Sequence, residues 1–151
     1  MPNARPVQHV LALVDGTEPS LHAADMAIEL ALALGARMTA MAIVDTATLR
    51  QLLSVRILVD AEMGEFEREL QKSARRHLHD VRLRAAAREL VIDEVLATGN
   101  SEAIVPKEVA ARGIDLIAVG GFQSSRVPRD LLARQRQQII DHAVCPVLVV
   151  K

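Results

Sequence analysis

The sequence predicts an α/β fold: an open, parallel five-stranded sheet in three layers, with helices on both faces. Three observations predict it. Short runs rich in Val, Ile and Leu alternate along the chain with longer segments of helical period. Parallel strands need a helical crossover to return, and continuously apolar strands must be covered on both sides. Half of the 151 residues are apolar, yet Trp and Tyr are absent and Phe occurs only twice, so the core that this length can bury is aliphatic. No linker, repeat or low-complexity tract interrupts the pattern, which predicts one domain over 1–151.

The elements follow in order. Val7 to Val14 is a compact apolar run that ends in Asp15-Gly16-Thr17, a buried strand followed by a turn. From Pro19 to Leu34 the residues Leu21, Ala24, Ile28 and Leu32 recur at helical spacing, while His22, Asp25 and Glu29 form a polar stripe and Gly35 closes the helix. Arg37 to Val44 reads as a second strand, punctuated by Asp45. Thr46 to Val59 is apolar without a clean period, which fits either an irregular lid or a short helix. Asp60 to Arg88 is the longest helical pattern, with Met63, Phe66, Leu70, Ala74, Leu78, Val81 and Ala85 on one side. Leu90 to Ala97 is the third predicted strand. Gly99-Asn100-Ser101 opens a helix, since Asn or Ser caps free amides at a helix start, and Pro106 inside it predicts a kink or a late start. Ile114 to Val119 is the fourth strand, Asp130 to Ala143 the last helix, and Pro146 to Val150 the fifth strand.

A net charge of −1 gives no general electrostatic reason to bind nucleic acid or an anionic membrane. The single cysteine, Cys145, excludes an intrachain disulfide, no run is long and apolar enough to span a bilayer, and residues 1–6 lack the apolar stretch of a signal peptide. The expectation is a cytoplasmic protein.

Ligands of such sheets bind beyond the carboxyl ends of the strands where the winding reverses, which directs attention to Asp15 and Gly120. The run Ile114 to Val119 feeds into Gly120-Gly121 and a polar loop with Ser124, Ser125 and Arg126, the layout of a nucleotide cradle. Several enzymatic constellations are incomplete. Asp15-Gly16-Thr17 follows a strand as in the phosphatase signature Asp-x-Asp-Gly-Thr, but Leu13 stands at the nucleophile position. No Gly-Lys-Ser or Gly-Lys-Thr exists for a P-loop. Cys145, beside Pro146 with only His142 nearby in sequence, reads as a packed or half-buried thiol. His77 and His79 point in different directions on a helix and make a poor metal site, so no metal is expected. His9 and His142 read as structural.

Val14-Asp15-Gly16-Thr17-Glu18-Pro19-Ser20, the Ala- and Leu-rich helix with Gly35-Ala36, Gly99, Asp115-Leu116-Ile117-Ala118-Val119-Gly120 and the ending His142-Ala143-Val144-Cys145-Pro146-Val147-Leu148-Val149-Val150 together resemble the universal stress proteins. The similarity runs over essentially the whole chain. It implies a sheet of order 3-2-1-4-5, the adenine nucleotide alpha hydrolase-like arrangement, usually dimeric and in one branch binding ATP. That branch carries Gly-x2-Gly-x9-Gly-Ser or Gly-x2-Gly-x9-Gly-Thr after strand four. Laid on this chain, the motif positions are Gly120, Gln123, Ala133 and Arg134, so only the first is kept. Glycines there let backbone amides approach phosphate with no Cβ in the way, and Gln at a positive φ costs on the order of 1 kcal/mol. The inherited cradle is damaged.

The resemblance implies that Asp15 accepts a hydrogen bond from adenine and that Val44 lies near the base; the plainer reading of Asp15 is a turn former beside Gly16. Arg126, Arg129 and Arg134 would either hold phosphate through charged forks or be solvated surface charges. Val147 to Val150 is expected at the sheet edge, where an unpaired apolar strand invites association, and the resemblance pairs it with a twofold mate, giving a homodimer through Pro146, Val147, Leu148, Val149 and Val150. Two functions remain: a non-enzymatic stress-response protein acting through dimerisation and protein partners, with ATP binding lost or weakened, or an ATP- or AMP-responsive sensor using Asp15, Val44, Gly120, Gly121, Ser124, Ser125 and Arg134. For a hydrolase, none of the constellations weighed above supplies a nucleophile and base.

Overall fold

A computed structural model describes the backbone of residues 6–46, 60–121 and 129–151, and the side chains of these apart from 60–63 and 129–135. The elements run β1 (His9–Leu13), α1 (Glu18–Leu34), β2 (Arg37–Asp45), α2 (Asp60–Ala86), β3 (Asp93–Gly99), α3 (Ser101–Arg112), β4 (Leu116–Gly120), α4 (Arg129–His142) and β5 (Val147–Val150). All neighbouring strands are parallel and the order is β3-β2-β1-β4-β5, as expected. The winding reverses between β1 and β4.

Alternation along the strands sorts the core into two faces. Val10, Ala12, Val14, Met38, Ala40, Ala42 and Val44 pack under α1 and the second half of α2, while Leu11, Met41 and Ile117 pack against Val105 and Val109 of α3 and Ile139 of α4. At the opposite end from the strand termini, Asp115 accepts from the amides of Gln8 and His9, both at 2.9 Å, and ties the start of β1 to the segment before β4. His9 is structural, as expected: it is buried, with Nε2 2.7 Å from Thr39 Oγ1 and Nδ1 3.0 Å from the Arg112 carbonyl.

Helix ends follow the capping signals. Thr17 caps α1 by accepting from the Ser20 amide, and Gly35 closes it at φ 62°. Asn100 caps α3 by accepting from the Glu102 amide at 2.9 Å, so Pro106 does not delay the helix. The ring at Pro106 removes one amide from the interior of a helix that is capped at both ends, Asn100 and Gly113.

Three expectations need correction. The third strand was placed at Leu90 to Ala97, but pairing with β2 begins at Thr39 opposite Asp93. The chain spends Leu90 to Ile92 descending from α2 after a turn with Glu89 at φ 60°, leaving Val91 94% exposed. On α1 the buried face is Ala23, Ala24, Ala27, Ile28 and Ala31, with Leu32 at its exposed margin, because small side chains let the helix lie close on the sheet. Among the described residues of α2 the fully buried ones begin at Ala74, namely Ala74, Leu78, Val81 and Ala85, with Leu70 partly buried and Phe66 45% exposed. Met63 and the segment 47–59 lie outside the described residues.

Candidate functional site

Beyond β1 the ladder continues for one step, with the Val14 amide donating to the Met41 carbonyl at 2.8 Å, and then the chain turns at Asp15. Gly16 holds φ 82°, a conformation that glycine adopts without steric cost. It also makes room for a neighbour. A Cβ at Gly16 would fall 2.3 Å from Nε2 of His77, whose ring on α2 lies over the turn and whose Nε2 is 3.2 Å from Ser73 Oγ.

The Asp15 carboxylate accepts three hydrogen bonds from this chain's own donors. Oδ1 accepts from the Thr17 amide at 2.9 Å and from the Thr17 hydroxyl at 2.6 Å, an Asx-type turn. Oδ2 accepts from an Arg136 guanidinium nitrogen at 3.0 Å. Burial pushes the carboxyl pKa up, but the Thr17 hydroxyl and amide, Arg136 and Ser20 outweigh that and hold it below the ordinary aspartate value.

Across the switch point, Gly120 and Gly121 end β4. A Cβ on Gly120 would meet the Ser20 amide nitrogen at 2.6 Å and the Pro19 carbonyl carbon at 2.7 Å, so this glycine admits the first turn of α1. The Gly121 amide donates to the Val150 carbonyl at 2.6 Å, extending the β4–β5 ladder by one bond. The Gly121 carbonyl accepts from a second nitrogen of Arg136. Arg136 therefore spans the crevice, one end of its fork on the loop after β1 and the other on the end of β4.

Val44 is buried at the end of β2, within the core face shared with α1 and α2. Next to it, Asp45 accepts from the Ser101 amide at 3.2 Å and the Ser101 hydroxyl at 2.8 Å, which holds the start of α3 against the strand. Asp15, Gly120 and Gly121 are thus brought together around Arg136, and Val44 closes the adjacent strand end beneath the surface. Gln123, Ser124, Ser125 and Arg126 lie outside the described residues. Arg129, Ala133 and Arg134 fall on α4, their side chains outside the description. Cys145 is half-buried, as expected, and burial together with the Asp115 charge pushes its thiol pKa up, the opposite of an activated nucleophile.

Sequence reasoning missed Arg136, and it weighed His77 only as a metal ligand. Arg136 lies one turn before the buried Ile139, on the same side of α4, and His77 lies between the buried Ala74 and Val81 on α2. A polar residue on the inward stripe of a helix was the available signal. Among the described residues no group of three or more His, Cys, Asp or Glu side chains could hold a metal ion, and no helix is long and apolar enough to cross a membrane.

Comparison with known proteins agrees with this architecture. A universal stress protein of Staphylococcus haemolyticus is 29% identical over 145 residues, covering 95% of this chain and 84% of the relative. The solved structure of the universal stress protein UspA from Lactobacillus plantarum superposes with a TM-score of 0.77 at 20% identity, covering 99% of this chain and 100% of that one. A universal stress protein family protein from Arabidopsis thaliana, solved with AMP bound, superposes with a TM-score of 0.61 at 14% identity, covering 95% and 91%. The profile of the universal stress protein family matches residues 6–151, and the chain belongs to that family.

Proposed function

We propose that this protein is a non-enzymatic stress-response protein of the cytoplasm that works as a homodimer through contacts with protein partners, with ATP binding weakened or lost. The observation that carries the reading is the use made of the two glycines after β4. Gly120 is spent on the close approach of the Pro19–Ser20 backbone, and the Gly121 amide is spent on Val150. Neither needs a phosphate to explain it. The remaining motif positions, Gln123, Ala133 and Arg134, carry no glycine or hydroxyl with which to complete a cradle. The test is calorimetric titration of ATP into the purified protein, for which no saturable heat is expected in the micromolar range. Saturable micromolar binding would overturn the reading.

A second reading is an adenylate sensor that uses Asp15, Val44, Gly120 and Gly121 with Ser124, Ser125 and Arg134 in the adjoining loop and helix. What favours it is the position of Asp15 at the switch point, together with the AMP bound in the Arabidopsis relative. It requires that AMP raise the thermal midpoint of the protein and that Asp15→Ala abolish the rise.

A further inference from the structure

The winding of the sheet reverses between β1 and β4, and beyond the carboxyl ends of strands at such a switch point open parallel sheets take their ligands. Here that crevice is bridged by one side chain of the protein itself. Arg136 donates to Asp15 Oδ2 at 3.0 Å and to the Gly121 carbonyl, and its side chain is 17% exposed while that of Asp15 is 47% exposed. The arginine side chain is the more deeply covered of the pair.

A carboxylate placed after the first strand can serve a nucleoside only as an acceptor, for ribose hydroxyls or a base amino group. Oδ1 already takes two donors from Thr17. A nucleoside therefore has to approach Oδ2, where its neutral donor competes with the single charged one from Arg136, and charge-assisted hydrogen bonds are roughly twice as strong as neutral ones. The Gly121 carbonyl holds the other end of the same guanidinium in place.

We propose that Arg136 is an internal latch that occupies the Asp15 acceptor in place of a nucleoside and so sets the ligand affinity of the crevice. This rests on reading the switch point as a former nucleotide site, and it adds the residue that closes it. The latch differs from the loss of glycines, because it acts at the carboxylate and is removable by one substitution.

The probe is adenosine, which is neutral, so that loss of the arginine cannot be confused with loss of attraction for a phosphate. Arg136→Ala and Arg136→Met, each verified as folded by circular dichroism, are expected to bind adenosine at least about tenfold more tightly than the wild type, the scale of one charged hydrogen bond that need no longer be displaced. Adding Asp15→Asn to either variant is expected to take the gain away. In the wild type, raising salt should strengthen adenosine binding by screening the ion pair, whereas in Arg136→Met the affinity should be flat with salt. A role for Arg136 in packing alone predicts neither the salt response nor the dependence on Asp15. If both folded variants bind adenosine no more tightly than the wild type, the latch is wrong. That failure is separable from failure of the functional reading, which is decided by ATP and the unmodified protein.

Discussion

Asp15 illustrates how a residue's chemistry is set by what reaches it. Its carboxylate takes the Thr17 amide, the Thr17 hydroxyl and Arg136, with the His77 ring packed over the adjoining Gly16, and its pKa is held below the ordinary value despite burial. A group whose folded pKa lies below its unfolded one, about 4, adds stability at pH values above the unfolded pKa. That contribution disappears as the pH falls through the folded pKa, because protonation removes the negative charge that Arg136 and the Thr17 donors favour. The Asp15 side chain is half-exposed, so solvent screening limits the contribution to about 1 kcal/mol or less. The wild type is therefore expected to be more stable than Asp15→Asn at pH 6, and the gap in denaturation midpoints should close as the pH is lowered from 5 toward 2. A gap that is constant across that range would show that the carboxylate's charge is not what the turn and Arg136 recognise.

At the scale of elements, the strand–helix alternation was legible because the aliphatic runs are short and two helix ends are explicit: Gly35 and Asn100 sit where local chemistry predicts, while the caps at Thr17 and Gly113 came from the structure. The strand order was legible through the resemblance to a family, since periodicity does not reveal which strands become neighbours. Less legible was the face of α1. Alanine marks a packed stripe weakly, and the larger Leu32 at the margin drew the pattern away from Ala27 and Ala31. The glycines after β4 were found but their role was not. Glycine in a sequence signals close approach without naming what approaches, and at Gly120 it is the backbone at Pro19 and Ser20. Arg136 was one of several arginines on or near α4 and was distinguishable only by sharing a face with Ile139. The packing account of Gly120 makes a prediction about β4 and α1. Gly120→Ala forces the first turn of α1 away from β4, and overpacking of this kind costs roughly 1–3 kcal/mol. Chemical denaturation should report a loss of that size. An alanine variant as stable as the wild type would return Gly120 to the role of a ligand-approach glycine.

At the scale of the whole molecule, the two edges of the sheet are unequal. The β3 edge opens with Asp93 and Glu94, held by Arg37 at 3.2 Å and Arg82 at 3.4 Å, and a charged edge resists pairing with another strand. The β5 edge carries Val147, Leu148, Val149 and Val150 with no charge among them, and Val149 is 46% exposed. Val144, just before it, is more exposed still. An apolar strand that pairs on one side with β4 leaves hydrogen-bonding groups on its other side, and a twofold axis beside it would satisfy them with a second copy of the same four residues. Such a partner would also cover Val149. The expectation is a dimer in sedimentation equilibrium whose population depends on concentration. Val149→Lys is the sharper test, because the side chain is already half in solvent and the fold should tolerate the change, while the twofold would bring two ammonium groups close together. Dimerisation should weaken by at least about tenfold, the effect of roughly 1.4 kcal/mol of repulsion and lost apolar contact. The monomer should keep its thermal profile, since the β4–β5 ladder from Ile117 to Gly120 does not involve the outer side of β5. A wild type that sediments as a monomer at every concentration would refute association through this edge, and a Val149→Lys protein that dimerises as well as the wild type would move the interface elsewhere on the molecule.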